Sequence, residues 1–279
     1  MIINPLHREH GPAPGATGCF RHGKGRLVVS VGGGDQASAM ERIARAGALA
    51  DLVELRLDLM ADPRPEKLVP ASPVPVIATV RTRTEGGAWE HGVSGCSDLL
   101  LRSLGAGARY VDVEYGFPER LRREIMKEAG AGRVILSHHT PTGTPSRKFL
   151  IPLLEAMAQE HPAVIKIVCH ARTASDTLRV LSLVPRARAE GLGVSAFCMG
   201  RAGRTSRLCS LLLGASLGYS ALEEGEATAE GQIPILEMRR MLQMSLAAGH
   251  GGTRIDLEET GKTMNLLPLA RTPGRRENP

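Results

Sequence analysis

The chain predicts a single α/β domain folded as a TIM (β/α)8 barrel. Its length of 279 residues suits one barrel of roughly 250 residues, the usual size of that fold. Short β-branched, aliphatic runs alternate with longer segments of helical period from about Arg26 to Leu246, the pattern of parallel strands joined by helical crossovers. Eight repeats favour a barrel, with a doubly wound open sheet as the alternative of the same pattern. Aromatic residues make up only 3% of the chain, so its core is built from Leu, Val, Ile, Ala and Met, the side chains that fill barrel interiors.

The strands are expected at Leu27–Val31, Leu52–Leu57, Val74–Val80, Tyr110–Glu114, Val134–Ser137, Val164–Val168, Gly193–Phe197 and Leu217–Ala221. Most are near-continuous apolar runs, as strands buried on both faces require. Helices are expected at Ala37–Ala50, Ser97–Gly105, Pro118–Ala129, Ser146–Gln159, Thr173–Arg188, Thr205–Leu213 and Ile233–Ala247, several opening on Ser, Thr or Pro as helix starts prefer. The Pro-rich connector Ala61–Lys67 has room for a short helix only. The domain reading is an N-terminal segment over 1–25, as a hairpin closing the barrel base, the catalytic barrel over 26–247, and a disordered C-terminal extension over 248–279.

Composition narrows the class. With 42% hydrophobic and 23% charged residues, the chain reads as a soluble globular protein with a sizeable core. Its net charge of +6 is dispersed rather than gathered into the patch a nucleic-acid binder needs, so no nucleic-acid partner is expected. Five cysteines, with no CxxC pair and no finger spacing, point to a reducing, cytoplasmic setting and no metal. Charged residues by His7-Arg8-Glu9 leave no stretch for a signal peptide, and nothing later reaches the ~20 apolar residues of a membrane span. Gly32-Gly33-Gly34-Asp35 lacks the GxGxxG spacing of a dinucleotide loop and reads as a turn, with no cofactor implied.

Barrel enzymes carry their chemistry at the C-terminal ends of the strands. Lys166 stands alone in Ala163-Val-Ile-Lys-Ile-Val168, where loss of hydration favours the neutral, nucleophilic amine over the ammonium; a buried structural ion pair is the alternative. Ser137-His138-His139 ends the preceding strand, and since consecutive strand residues face opposite ways, one imidazole faces the site and the other is packing or surface. Glu54-Leu-Arg56-Leu-Asp58 puts charges at alternate positions, and Arg81-Thr-Arg83-Thr-Glu85-Gly-Gly87 adds a cation and a carboxylate. Such rows need either mutual pairing or a polar ligand.

Taken in order, these segments resemble the type I 3-dehydroquinate dehydratase family from about Gly25 to Ala247. Glu54-Leu-Arg56-Leu-Asp58 is similar to the family's ExRxD strand. Arg81 with Glu85-Gly86-Gly87 is similar to its Arg-x-x-x-Glu-Gly-Gly segment, and Asp112-Val-Glu114 to its fourth-strand acidic pair. Ser137-His138-His139 resembles Ser-x-His, Lys166 the Schiff-base lysine, Met199-Gly200 with Ser206-Arg207 the Met-Gly…Ser-Arg segment, and Thr228-Ala229-Glu230-Gly231-Gln232 the Ser-Ala-Pro-Gly-Gln loop.

The resemblance implies a lyase of the shikimate pathway, in aromatic amino acid biosynthesis: a homodimer that dehydrates the small molecule 3-dehydroquinate through a Schiff base. By position it implies Lys166 as the amine, His139 as general base and acid, and Glu85 as the residue that orients His139. It puts Glu54, Arg56 and Arg81 on the substrate's hydroxyls and ketone side, and Arg207 on its carboxylate. Thr228 and Gln232 add hydrogen bonds, while Met199, Tyr219 and Ala229 form an apolar wall. The loop Glu223–Gly231 would close over the substrate and be mobile without it. The chain departs from the family pattern at Thr140 and Glu230, where an acid and a proline are usual. Two rivals are another class I Schiff-base barrel, such as an aldolase, and a catalytically silent barrel.

Overall fold

A computed structural model describes residues 25–247. Cys19, the N-terminal segment expected as a hairpin, but for its last residue, and the C-terminal extension expected to be disordered lie outside the described residues. The strands are β1 (Arg26–Gly32), β2 (Leu52–Arg56), β3 (Val76–Thr79), β4 (Tyr110–Glu114), β5 (Val134–Thr140), β6 (Val164–His170), β7 (Val194–Met199) and β8 (Leu217–Ser220). All pair in parallel, in the order β7-β6-β5-β4-β3-β2-β1-β8, so nearly every strand lies beside its neighbour in sequence.

The seam between β7 and β8 closes the sheet with serines. Ser216 N–H donates to the Val194 carbonyl at 2.7 Å, Val194 N–H donates to Ser216 Oγ at 3.1 Å, and Ser195 Oγ donates to the Leu217 carbonyl at 2.8 Å. Two hydroxyls thus stand in for part of a backbone ladder, and the barrel is nearly closed.

Helices α1 (Gln36–Leu49), α2 (Pro65–Leu68), α3 (Gly92–Gly105), α4 (Glu119–Ala129), α5 (Arg147–Ala158), α6 (Ala174–Leu181), α7 (Leu183–Ala189), α8 (Ser206–Leu212) and α9 (Ile235–Ala247) fall in the connections and after β8. None is long and apolar enough to cross a membrane.

Several boundaries differ from those expected, each for a local reason. β3 starts at Val76 rather than Val74 because Pro73 and Pro75 have no N–H to give a ladder. β2 stops at Arg56, and Leu57 opens a single 3-10 turn. The expected helix Thr173–Arg188 is two helices broken at Ser182, since the ring of Pro185 clashes with the carbonyl four residues back. α3 begins at Gly92, five residues early. β5 and β6 run to Thr140 and His170, beyond the expected ends at Ser137 and Val168; the two pair in register up to Thr140 and Cys169, which carries histidines out to the barrel mouth.

Side chains alternate across the strands. Outward positions such as Val29, Leu55, Val111, Leu136 and Ile167 pack with the helices in one large aliphatic cluster. Inward positions form a floor of Val28, Leu52, Ile77, Tyr110, Ile135, Val164 and Leu217. Above that floor the interior turns polar, with Ser30, Glu54, Thr79, Asp112, Ser137 and Lys166 all buried. The floor supports this layer, so Ile77→Ala is expected to cost about 2–5 kcal/mol through lost burial and a residual cavity. Urea unfolding of variant and parent measures it; a loss under about 1 kcal/mol would mean the floor collapses freely around the gap.

Candidate active site

A cavity of about 240 Å³ opens at the C-terminal ends of the strands, lined by every residue proposed from the sequence for catalysis or substrate contact. It adds Thr79, Gly86, Pro141, Val168, His170, Phe197 and Glu230 to that set. The volume suits one small ring-sized molecule.

Beneath the cavity lies a buried ion network centred on Arg81. Its Nη1 donates to Glu85 Oε2, Glu114 Oε1 and Ser137 Oγ, each at 3.0 Å, and its Nη2 donates to Asp112 Oδ1 at 2.8 Å. Burial alone would favour loss of its proton, but Asp112, Glu85 and Glu114 together hold the guanidinium well above its ordinary value. Arg81 therefore serves as counter-ion to three carboxylates, and its fork is occupied before any ligand arrives.

Lys166, from the middle of β6, reaches into the same network. Its Nζ lies 3.0 Å from Asp112 Oδ2, 3.4 Å from Glu54 Oε1 and 4.0 Å above the Tyr219 ring. The amine thus stands in the buried ion pair that the sequence left as the alternative, against the Tyr219 ring. Burial would raise the Asp112 carboxyl, but Arg81, Lys166 and the Ser137 hydroxyl outweigh it and hold the group at about 2. Asp112 is the residue whose part was missed. It stands in the motif Asp112-Val-Glu114, but nothing in one strand's sequence says which lysine across the barrel it meets. Glu54 also accepts from Ser30 Oγ at 2.6 Å and Thr79 Oγ1 at 2.9 Å, which fixes it in place.

His139 points inward and His138 does not line the cavity, as strand alternation predicts. Glu85 Oε2 accepts from the His139 backbone N–H at 3.1 Å and lies 2.8 Å from His139 Nδ1. That oxygen also faces Arg81 Nη1, so its neighbours are donors and Nδ1 is the protonated ring nitrogen. The lone pair on Nε2 is left for the cavity. Burial, then Arg81, Lys166, Arg56 and His138, push the His139 imidazole well below its ordinary value. Burial, with Glu114 and Asp112 adding to it, raises the Glu85 carboxyl against the pull of Arg81.

Arg207, at the start of α8, is 2% exposed and stacks 4.7 Å over the Phe197 ring. Its Nε has no hydrogen-bond partner, and among the described residues it has no carboxylate partner. Burial without a counter-ion pulls it down to about 10. A buried cation with an unoccupied edge is a receptor for an anion.

The loop Glu223–Gly231 lies across the cavity mouth, tied at several points. Arg45 pairs with Glu223, Arg56 Nη1 donates to the Thr228 carbonyl at 3.1 Å, and Arg207 Nη2 donates to the Glu230 carbonyl at 3.0 Å. Gln232 Oε1 accepts from Thr228 N–H at 2.8 Å and Ala229 N–H at 3.3 Å, while its Nε2 donates to Ser30 Oγ at 3.1 Å. Arg56 is otherwise held by Asp58, at 2.9 and 2.7 Å. Met199, Tyr219 and Ala229 line the wall as expected. Glu230, the departure in the loop, meets His170 Nε2 at 3.3 Å. The sequence offers Cys169-His170 as a nucleophile or metal pair only to set it aside, because adjacent strand residues face opposite ways; His170 nevertheless lines the cavity.

The type I 3-dehydroquinase family model matches residues 27–248. The chain is 39% identical to a 3-dehydroquinate dehydratase of Syntrophobacter fumaroxidans, over 61% of this chain and 72% of that one. It is 40% identical to one of Thermococcus gammatolerans, over 70% and 88%. Its fold is similar to the crystal structure of 3-dehydroquinate dehydratase from Geobacillus kaustophilus, with a TM-score of 0.74 at 21% identity, covering 81% of this chain and 93% of that one. With one family model running through all eight strands, and relatives sharing about two residues in five over most of their length, the chain belongs to the type I 3-dehydroquinase family.

Proposed function

We propose that the protein dehydrates 3-dehydroquinate to 3-dehydroshikimate by syn elimination through a Schiff base on Lys166. The observation that carries this is the meeting, in one cavity, of a buried amine, an imidazole with its Nε2 lone pair available, and a buried guanidinium with no carboxylate partner among the described residues.

Arg207 receives the substrate carboxylate, since a guanidinium fork matches it in two bonds. The ketone then stands over Lys166. Lys166 sheds a proton, its nitrogen adds to the carbonyl carbon, and the carbonyl oxygen leaves as water, giving an iminium. The iminium draws electrons from the neighbouring C–H bond, whose proton passes to His139 Nε2. The electron pair left behind expels the hydroxyl, which His139 protonates as it leaves. Water then hydrolyses the imine and returns the free amine. Glu85 holds Nδ1 protonated and so makes Nε2 the basic nitrogen when the C–H bond is broken, while Asp112 and Glu54 orient the amine before attack. Closure of Glu223–Gly231 keeps water from the imine until the elimination is done. The same reading takes the enzyme as a cytoplasmic homodimer with one catalytic domain and no cofactor.

Borohydride added during turnover should leave a covalent adduct on Lys166, seen by intact-protein and peptide mass. Lys166→Ala should abolish turnover and keep the parent's circular dichroism. A missing adduct, or turnover in that variant, would remove the Schiff base and with it the aldolase-like alternative. Because burial and Arg81 hold His139 neutral, the base stays unprotonated as pH falls past 6.5, its ordinary value. The kcat/KM profile should therefore keep its plateau through pH 6.5 and fall only well below it; an acid limb at or above that value contradicts His139 as base. Arg207→Ala should lower kcat/KM by about 10- to 100-fold, the range of one or two charged hydrogen bonds, mostly through KM; an unchanged KM would put the carboxylate elsewhere.

A further inference from the structure

Glu85 is approached by imidazoles on both sides. Its Oε2 faces His139 inside the barrel, and its Oε1 lies 3.9 Å from the Nδ1 of His138 on the outer side. Neither histidine neighbours the other's ring, because consecutive residues of β5 point to opposite faces; the carboxylate of the short 3-10 turn Arg83–Glu85 reaches both from the end of β3. His138 is 23% exposed, against 9% for His139 and 8% for Glu85, so the row runs from buried to solvent-touching. It continues to Thr140, whose Oγ1 is 3.4 Å from His138 Nε2. The ring of Phe149 shields one side of His138, with centroids 6.3 Å apart.

The two oxygens of Glu85 are not equivalent. The neighbours of Oε2 are the donors Arg81 Nη1, the His139 backbone N–H and His139 Nδ1. Oε1 makes no hydrogen bond among the described residues, so a proton resident on Glu85 sits on Oε1, on the His138 side. Burial and the neighbouring Glu114 and Asp112 favour that protonated form. The gap of 3.9 Å exceeds a direct hydrogen bond and is one that a bridging water or a small turn of the imidazole covers. A second cavity, of about 560 Å³ and lined by Thr82, Thr84, Glu85 and Gly116, also borders the carboxylate, so Glu85 is not sealed from the outside.

We propose that His138 is a positioning residue for proton transfer: the outer end of a His139–Glu85–His138 relay by which the catalytic base exchanges protons with solvent while the loop covers the cavity. The relay rests on the reading of His139 as base. Its use follows from Lys166, which can attack only after shedding a proton in a pocket whose mouth is covered. His139 takes that proton on Nε2 and passes its Nδ1 proton to Glu85 Oε2. The Oε1 proton moves to His138 Nδ1, and His138 releases its Nε2 proton to solvent beside Thr140. Two N–H bonds and one O–H bond break and two N–H bonds and one O–H bond form within the row, so each histidine and Glu85 end with one proton as they began. The reverse passage restores the Nδ1 proton when the carbonyl oxygen leaves as water.

The test uses the full-length enzyme with His138→Ala and His138→Gln, the amide keeping polarity without carrying protons. Both should lower kcat about 10-fold, toward the low end of what a proton-transfer group contributes, with KM within about twofold of the parent. The solvent deuterium isotope effect on kcat should rise in both. Added imidazole should restore turnover of His138→Ala saturably and leave His138→Gln and the parent unmoved. A kcat within about twofold of the parent in both variants overturns the relay. So does a loss that imidazole does not relieve and that leaves the isotope effect unchanged, which assigns His138 to packing. Borohydride adduct and turnover of the parent are measured alongside; if the parent shows neither, the dehydratase reading fails first, whereas an active parent with indifferent variants sinks the relay alone.

Discussion

The grip of Arg81 on three buried carboxylates is the interaction on which the upper half of the barrel depends. Asp112 and Glu114 from β4 and Glu85 from the turn after β3 converge on one guanidinium. Without it, three negative charges would share a region with almost no solvent, and desolvation plus mutual repulsion would expel or protonate them. With it, each carboxylate is held at a fixed height and turned toward a second partner: Asp112 toward Lys166, Glu85 toward His139, Glu114 toward the Thr82 backbone N–H and hydroxyl. One cation thereby sets the geometry of both an amine and a base.

That arrangement changes how the nucleophile is to be understood. A lysine among Val and Ile suggests an amine made reactive by an apolar wall alone. The folded chain instead sets Lys166 in a pair with Asp112, against a tyrosine ring. The pair aims the amine, and proton removal becomes a separate event that needs an acceptor. The chain supplies one in His139, whose imidazole burial and surrounding cations keep neutral. Positioning and deprotonation are thus divided between two sides of the Arg81 network.

Charge is also divided between floor and mouth of the cavity. Below, each buried cation is paired with carboxylates; above, Arg207 is buried with no anion of its own among the described residues. The loop shares this cation by offering it a backbone carbonyl, a weaker partner than a carboxylate. A ligand carboxylate therefore improves the state of Arg207, and the loop carbonyl remains as a second acceptor for the same fork. Binding and closure are linked through one side chain.

Much of this was legible in the sequence. The alternation of aliphatic runs and helical segments specifies a parallel α/β fold, and its eight repeats favour a barrel over a doubly wound sheet, because the pleat and the helical turn each repeat at a fixed spacing. The same alternation told Leu55 from Glu54 and said that only one of His138 and His139 faces the site; the ordered motifs picked His139 and named the residues that line the cavity. Strand ends were less legible: the extra residues of β5 and β6 are polar, so no apolar run marks them, and the break at Ser182 shows only once the demands of Pro185 meet a packed helix. What the chain by itself determined is which face each side chain takes and at which end of the barrel it stands, since those follow from local periodicity. What only the tertiary structure decided is who meets whom: Arg81 occupied by carboxylates rather than open to substrate, Lys166 beside Asp112, Gln232 holding its own loop, and Glu85 between two imidazoles. Pairing of charges is set by distances across the barrel, between residues as far apart as Asp112 and Lys166, and no spacing along one strand encodes them.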